Sequence, residues 1–206
     1  MTRPTPAATA EQDAPDEALL VLYANVDPGA ARELSRRLVP RTLGYAARLL
    51  GGDRAGAEDV VQEAMLRLWR VAPDWRSGEA RVATWLYRVV TNLCTDARRA
   101  RVRRGDGMLD DAADVADGSP GAEARLITAD RVAALEAALA QLPDRQRQAV
   151  VLRHIEGLSN PEIAVVLELG VEAVESLTAR GKRALAAILS GQRAGLGWGD
   201  GGGDDG

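Results

Sequence analysis

Five arginines lie close together near the middle of the chain, at a density that suits phosphate binding. They are Arg98, Arg99, Arg101, Arg103 and Arg104. A guanidinium group stays charged and presents a planar fork of N–H donors that matches the oxygens of a phosphate. Residues 106–117 follow with five aspartates and no basic residue. The net charge of −4 therefore hides a basic surface, and nucleic-acid binding remains compatible with an acidic total.

Residues 158–183 have the pattern of two short helices joined by a tight turn. Ser159 is placed to cap the first helix, with Glu162 three residues later reaching back to it. Residues 168–170 form the predicted turn, and the second helix begins at Val171. The side chains expected to point toward a DNA major groove are Glu172, Glu175, Ser176, Ala179, Arg180 and Arg183. The layout is typical of a DNA-reading helix-turn-helix, although a plain helical hairpin has the same caps and periodicity.

The residue types that catalysis and metal binding require are scarce. His154 is the single histidine and Cys94 the single cysteine, so neither metal-ligand spacing nor a disulfide framework is present. We expect a structural role for His154, because it falls within an apolar helical pattern and has no evident catalytic partner. No Gly-rich phosphate loop occurs either. The sequence therefore predicts a protein that is not an enzyme and uses neither a cofactor nor a metal.

The composition predicts an all-α fold. Hydrophobic residues make up 46% of the 206 residues, but aromatic residues only 3%, and phenylalanine is absent. A core built mainly from Ala, Val and Leu favours helices over β-sandwiches. The caps and periodicity predict helices at residues 16–25, 27–50, 53–71, 80–104, 123–140 and 143–156, followed by the two helices of the helix-turn-helix. Pro40 lies inside the second of these, and we expect it to kink or split that helix.

The composition also predicts two small helical domains, at residues 15–104 and 123–190. Residues 105–122 are rich in Gly, Asp and Ala and predict a flexible acidic linker between the domains. Residues 1–14 and 191–206 lack periodicity, so we expect disordered tails. No apolar run is long enough to cross a membrane, no signal peptide is evident, and we expect a cytoplasmic protein.

The apolar spacing predicts which side chains face the core in each helix. In the C-terminal domain these include Val132, Ile155, Val171, Val174, Thr178 and Gly181. Trp85 lies on the apolar face of the 80–104 helix, so a core position is favoured for it over a DNA contact. The loop before that helix, at residues 73–79, carries a Trp75-Arg76 pair that looks exposed.

Two long segments resemble the extracytoplasmic-function group of bacterial RNA polymerase sigma factors. AEDVVQEAMLRLWR at residues 57–70, with TWLYRVVTNLCTDARR at residues 84–99, is similar to sigma region two. LPDRQRQAVVLRHIEGLSNPEIAVVLELGVEAVESLTARGKRAL at residues 142–185 is similar to region four. The resemblance spans about residues 19–189. It implies a factor that binds core RNA polymerase and directs promoter recognition and opening, with a stress-response regulon as the expected target.

The resemblance also implies roles for individual residues. The polar face of the third helix is implied to bind the β′ clamp helices of the polymerase, through Asp59, Gln62, Glu63 and Arg67. The β flap is a second implied polymerase contact. Binding of the DNA near the start site, including a flipped-out base, is implied for Trp75, Arg76, Arg88, Asn92, Arg98, Arg99 and Arg101. Reading of the upstream promoter element is implied for Glu175, Ser176, Arg180 and Arg183. An anti-sigma factor is a further implied partner.

The chain departs from the family pattern within the helix-turn-helix. Glu175 and Leu177 stand where Lys and Arg are frequent, Glu168 where a turn glycine is common, and Thr178 where an inward leucine is common. Two explanations remain open. In the first, Glu175 accepts a hydrogen bond from a cytosine amino group while Leu177 contacts a thymine methyl. In the second, binding of the helix-turn-helix to the upstream promoter element is weak alone and relies on the polymerase.

Two other classes of function are compatible with parts of the sequence. A self-standing transcriptional regulator with an N-terminal sensing domain would bind DNA without polymerase, but the N-terminal half offers polar docking faces and no ligand-pocket motif. A helical interaction module, such as an anti-sigma mimic, would not need the arginine block. The sigma-factor interpretation accounts for both halves.

Overall fold

The computed structural model describes residues 14–76, 81–104 and 122–195, and the side chains of residues 122–129 and 192–195 lie outside the description. Within these residues the chain is helical and has no strand. Its helices are α1 (Asp16–Ala24), α2 (Pro28–Leu49), α3 (Arg54–Val71), α4 (Val82–Arg104), α5 (Ala122–Ala140), α6 (Asp144–His154), α7 (Asn160–Leu167) and α8 (Val171–Gly195), with a short 3-10 turn at Ala72–Asp74. The predicted all-α class is confirmed. The expected linker at residues 105–122 and tails at residues 1–14 and 191–206 lie mostly outside the description. Where they are described, α5 begins at Ala122 and α8 continues to Gly195, past the expected start of the C-terminal tail.

The helix starts follow the capping residues of the sequence. The Asp27 carboxylate accepts from the Gly29 amide at 2.8 Å, and Pro28 supplies the first turn of α2. The Asp53 carboxylate accepts from the Gly56 amide at 3.0 Å at the start of α3. The expected split at Pro40 is wrong, because α2 runs through it as one helix. Pro40 is exposed, so its ring lies on the solvent-facing side of α2 rather than in the core.

The N-terminal domain packs α1 to α4 around a buried tyrosine pair. Tyr45 of α2 and Tyr87 of α4 meet edge to face, with ring centroids 5.2 Å apart. The Tyr45 hydroxyl lies 2.8 Å from the Thr91 hydroxyl, so its polar end is satisfied inside the core. This pair holds α4 in a fixed orientation against α2, and α4 carries most of the arginines predicted to bind DNA.

The C-terminal domain depends on close packing of α6 against α8. Gly181 is buried, and a Cβ atom there would lie 2.6 Å from Val150 Cγ2 and 3.1 Å from the Gln146 carbonyl oxygen. A larger side chain would therefore push α8 away from α6. The expected inward positions are confirmed for Val174 and Gly181.

Three side chains expected in the core of this domain are instead exposed. Val132 is 50% exposed on α5, Val171 is 40% exposed at the start of α8, and Ile155 is 39% exposed. Ile155 lies just beyond the end of α6, and Val171 is the first residue of α8. Both are at helix ends, where the apolar spacing of a helix interior is a poor guide to burial. His154 is also exposed, in the last turn of α6.

Substitutions of Gly181 and Gly191, which lie on the same helix, should differ in their effect on the free energy of unfolding. Gly181→Ala should lower the free energy of unfolding by about 1–3 kcal/mol, because the added methyl meets Val150 and the α6 backbone. Gly191→Ala is the matched control, since a Cβ atom there meets nothing within 4 Å. It should leave stability unchanged or raise it by about 0.5 kcal/mol. Urea unfolding followed by circular dichroism makes the comparison, and equal effects would contradict the packing described.

Candidate nucleic-acid interface

The exposed face of α8 brings together three of the residues predicted to read DNA. Ser176, Arg180 and Arg183 lie four and three residues apart, so they share one side of the helix, and all three are exposed. Arg180 Nε donates to the Ser176 carbonyl oxygen at 3.2 Å. Glu175 is also exposed, and its carboxylate accepts from Asn160 Nδ2 at 3.3 Å. The face presents two guanidinium groups, a hydroxyl and a carboxylate, which are groups that hydrogen-bond to phosphates and base edges.

A capping box at the start of α7 supports this face. Glu162 Oε2 accepts from the Ser159 amide at 2.8 Å and from the Ser159 hydroxyl at 2.6 Å. These hydrogen bonds, with Arg81 nearby, lower the pKa of the Glu162 carboxyl. The predicted capping box is therefore confirmed. It positions α7 with Ile163, Val166 and Leu167 buried, and α8 packs against it.

The turn between α7 and α8 has a left-handed residue where glycine would be unstrained. Glu168 has φ 56° and ψ 48°, and its amide donates to the Ala164 carbonyl. A side chain in this conformation costs about 1 kcal/mol or more relative to glycine. The Glu168 carboxylate lies 2.7 Å from Arg88 Nη2 of α4 and accepts from Arg88 Nε at 2.9 Å.

Most of the predicted DNA-binding arginines of α4 already have acidic partners. Arg88 pairs with Glu168, Arg98 contacts Asp144, and Arg99 lies 3.8 Å from Asp96. Asn92 is exposed. Arg101 contacts the same Asp53 carboxylate that caps α3, so its side chain joins the end of α4 to the start of α3. The DNA contacts of all these residues stay predictions.

The Trp75-Arg76 pair is less open than its sequence suggests. The Trp75 indole packs on the core and meets Trp85 edge to face at 6.0 Å. Its Nε1 is buried and has no hydrogen-bond partner among the described residues. The expectation of an exposed tryptophan is therefore wrong, and the ring would have to rotate to offer a stacking plane to a base. Arg76 is exposed, and Trp85 packs against the core as expected.

An apolar groove of about 320 Å³ lies between α2 and α3. Its walls include Val39 and Leu43 of α2, and Met65, Leu66 and Trp69 of α3. Leu66 is 43% exposed although it is a large aliphatic residue. The charges of α3 pointed to this helix face in the sequence, but the groove itself was missed. The signal available was Leu66, an apolar residue among the polar positions of α3.

The four residues predicted to bind polymerase lie at or near this groove on α3. Gln62 lines it and is exposed. Asp59 is exposed, while Glu63 and Arg67 form an ion pair at 2.8 Å one turn apart. The structure thus places polar side chains beside an apolar strip, a combination that protein interfaces use.

A buried carboxylate at the contact between the two domains was also missed. Glu156, just after α6, is 8% exposed, and its side chain contacts the Tyr87 hydroxyl. Arg41 Nη2 donates to the Glu156 carbonyl oxygen at 2.8 Å. Burial, together with the neighbouring Glu156 carboxylate, raises the pKa of Tyr87. The sequence marks Glu156 only as a helix end, because its partners are far away in the chain.

Within the described residues, no group of three or more His, Cys, Asp or Glu side chains is arranged to hold a metal ion. The helices described there also include none with the length and hydropathy needed to cross a bilayer.

Two protein-family models match the chain and together cover more than half of it. The Sigma-70 region 2 family matches residues 34–104, which contain most of α2, α3 and α4. The Sigma-70 region 4 family matches residues 133–185, which contain the helix-turn-helix.

Similar proteins and solved structures agree with this assignment. The RNA polymerase sigma factor CnrH of Cupriavidus metallidurans is 32% identical over 185 residues, covering 85% of this chain and 96% of that protein. The ECF RNA polymerase sigma factor SigM of Mycobacterium tuberculosis is 34% identical over 174 residues, covering 84% of each. The structure of CnrH in complex with the cytosolic domain of CnrY superposes with a TM-score of 0.62 at 28% identity, covering 85% of this chain and 97% of that one.

The fold is also shared, at 20% identity, with the sigma factor RpoE of Bartonella quintana, solved with the anti-sigma factor NepR. There the TM-score is 0.63, and the likeness covers 77% of this chain and 96% of that one. The chain therefore belongs to the extracytoplasmic-function (ECF) group of RNA polymerase sigma factors, which direct RNA polymerase to promoters.

Proposed function

We propose that this sigma factor uses three surfaces: the α2/α3 groove for core polymerase, the arginine face of α4 for DNA near the start site, and α8 for the upstream element. The N-terminal unit spans residues 15–104 and the C-terminal unit residues 123–190. The observation that carries this division is the α2/α3 groove, an exposed apolar surface that is separate from the basic surfaces suited to DNA. Sigma factors are initiation factors and not enzymes, so strand opening is driven by binding energy.

The groove suits a protein partner better than DNA. Leu66 and Trp69 line it with apolar surface, and Asp59 and Glu63 beside them carry negative charge that a phosphate backbone would repel. An apolar strip with a charged rim fits a helix that presents aliphatic and basic side chains. The β′ clamp helices of the polymerase are the proposed occupant, with Asp59, Gln62, Glu63 and Arg67 around the contact.

The arginine face of α4 suits a phosphate backbone. Arg98, Arg99 and Arg101 stand in the last turns of the helix, where positive charge also interacts favourably with the helix dipole. Arg88 and Asn92 extend the same helix toward Trp75 and Arg76 at its other end. Binding through such contacts releases counterions and weakens as the salt concentration rises.

Promoter selectivity is proposed to come from α8. Arg180 and Arg183 offer donors to guanine edges or phosphates, and Ser176 lies between them and the turn. Glu175 is suited to accept from a cytosine amino group. The exposure of these side chains supports the proposal, and the acidic start of α8 favours an upstream element unlike one read by a basic helix.

We further propose that the protein acts in the cytoplasm and is restrained by a protein partner. The support is its relative CnrH, which was solved with the cytosolic domain of CnrY. The β flap as a second polymerase contact, and a regulon that responds to stress, remain predictions from the family resemblance.

Run-off transcription with purified core polymerase on genomic fragments tests the function as a whole. The expected result is promoter-specific transcripts that require both this protein and the core enzyme. Sequence-specific DNA binding without polymerase would favour a self-standing regulator. The lack of any specific transcript, with folded protein and active core, would contradict the proposal.

Leu66→Arg should weaken binding to core polymerase by at least about tenfold, because it places a charged side chain in the apolar strip of the groove. Leu22→Arg on α1 is the matched control, since Leu22 is 39% exposed and does not line the groove. Fluorescence anisotropy of labelled protein against core enzyme measures both. Equal affinities of the two variants would count against the groove as the docking site.

Arg180→Ala and Arg183→Ala should each weaken promoter binding by the holoenzyme more than Glu172→Ala does. Loss of an arginine contact to a base or phosphate typically costs about 1–3 kcal/mol, whereas loss of Glu172 removes an exposed negative charge from a DNA-facing helix. Binding is measured by mobility shift at fixed salt. Losses of the same size in all three variants would refute this ranking.

A further inference from the structure

A second cleft, of about 560 Å³, lies between α4 of the N-terminal domain and α6 of the C-terminal domain. Its volume falls within the range of about 300–1,000 Å³ that is usual for small-molecule sites. Four guanidinium groups line it against a single carboxylate. They belong to Arg98, Arg99 and Arg103 of α4 and Arg145 of α6, and the carboxylate is that of Asp144. The cleft is therefore strongly positive.

The one lining carboxylate is already shared between two arginines. Arg98 contacts Asp144, and Arg147 Nη2 donates to it at 2.6 Å. Burial raises the pKa of the Asp144 carboxyl, but the hydrogen bonds and charges of these two arginines outweigh it, so the pKa is lowered and the group stays ionised. Asp144 is thus fully engaged and leaves the other lining arginines without its charge.

Two of those arginines have no acidic partner within the described residues. Arg145 Nη1 donates to neutral oxygens there, the Leu167 carbonyl at 3.3 Å and Gln148 Oε1 at 3.5 Å. Arg103 is exposed in the last turn of α4 and forms no ion pair with the part of the chain that the structure describes. Both guanidinium groups therefore keep charge-assisted donors for an anion.

A buried arginine adds to the positive charge beside the cleft. Arg147 is 4% exposed, and its Nε has no hydrogen-bond partner among the described residues. Burial and the charge of Arg98 both lower the pKa of its guanidinium. Repulsion between arginines in a partly buried place is costly, and an anion bound in the cleft would offset it.

We propose that the cleft between α4 and α6 binds a nucleoside di- or triphosphate, with its linked phosphates on the arginines and its base against the apolar wall. Leu49, Cys94 and Val102 supply that wall. A single phosphate carries about 1.5–2 negative charges, so linked phosphates match four guanidinium groups better. The planar guanidinium fork fits phosphate oxygens and also stacks on aromatic rings.

The size of the cleft separates this ligand from DNA. A cleft of this volume admits a small molecule, whereas a duplex is too wide to enter between two packed helices. Because Arg103 and Arg145 come from different domains, a nucleotide held by both bridges the domains. The competing occupant within the chain is the acidic stretch at residues 106–117, whose five aspartates follow Arg104 in the sequence.

Isothermal titration calorimetry of the free full-length chain at low salt tests the site, with ADP as the probe. One ADP should bind per chain. AMP should bind at least about tenfold more weakly because it carries one phosphate, and adenosine should not bind. Pyrophosphate, which has the linked phosphates without the base, should bind less tightly than ADP.

A double variant, Arg103→Gln with Arg145→Gln, locates the binding. Neither residue is assigned to DNA above, and the variant should bind ADP at least about tenfold more weakly than the wild type. The control is Arg70→Gln with Arg153→Gln, which makes the same change of net charge at exposed arginines that do not line the cleft. Arg153 also lies on α6 and donates to a backbone carbonyl, as Arg145 does. Circular dichroism verifies that both variants are folded.

Four results would overturn the proposal. They are a wild type that does not bind ADP, equal ADP affinities of the two double variants, pyrophosphate binding as tight as that of ADP, and adenosine binding as tight as that of ADP. ADP binding that appears only after the five aspartates of residues 106–117 are replaced by asparagine would assign the cleft to that stretch instead.

Photocrosslinking of the wild type with 8-azido-ADP locates the site without any substitution. Mass spectrometry should find the adduct on lining residues of α4 or α6, and unlabelled ADP should suppress it. Adducts confined to other parts of the chain would contradict a site in this cleft.

Discussion

The arrangement of this protein depends on a single buried carboxylate at the contact between its two domains. Glu156 reaches Tyr87 of α4 and Arg41 of α2, so it joins the end of α6 to the two main helices of the N-terminal domain. Gly157 follows with φ 77° and allows the chain to turn directly into α7. A buried carboxylate is tolerated only with such partners, since leaving it unpaired costs about 3–5 kcal/mol. The cluster therefore fixes where α7 lies on α4.

The position of α7 determines which surfaces remain available. With α7 on α4, the carboxylates of Glu162 and Glu168 meet Arg81 and Arg88, while the reading face of α8 remains exposed. The α2/α3 groove is also open. The surface proposed for polymerase is thus open in this arrangement, whereas Arg81 and Arg88 near the surface proposed for DNA pair with carboxylates of the C-terminal domain.

Much of the fold follows from local sequence signals. Asp27, Asp53 and Ser159 mark helix starts that the structure confirms, because a cap acts through hydrogen bonds within a few residues. The errors arose where tertiary packing decides the outcome. The loop sequence predicts an exposed Trp75, but its ring packs edge to face against Trp85. Val132 and Ile155 matched an apolar spacing, yet packing leaves both of them exposed.

The candidate sites also differ in how far local sequence signals predict them. The outward face of α8 was predictable, since helical spacing alone places Ser176, Arg180 and Arg183 together. The Glu156 cluster was not, because its contacts join residues 69 and 115 positions apart, a separation that periodicity does not encode. The α2/α3 groove was not predictable either, because its walls come from two different helices. Local periodicity thus finds single helix faces, and surfaces shared by distant helices require the structure.

The most direct test of the Glu156 contact is a distance measured between the two domains, with and without that carboxylate. Spin labels on Arg32→Cys of α2 and Lys182→Cys of α8, both at exposed positions, report it by pulsed electron paramagnetic resonance, and the buried Cys94 is shielded from the labelling reagent. We expect one narrow distance distribution in the wild-type chain and a broader one when Glu156→Ala is added, because the variant removes the carboxylate that contacts Tyr87 and Arg41. The same distribution in both proteins would contradict the role given to Glu156.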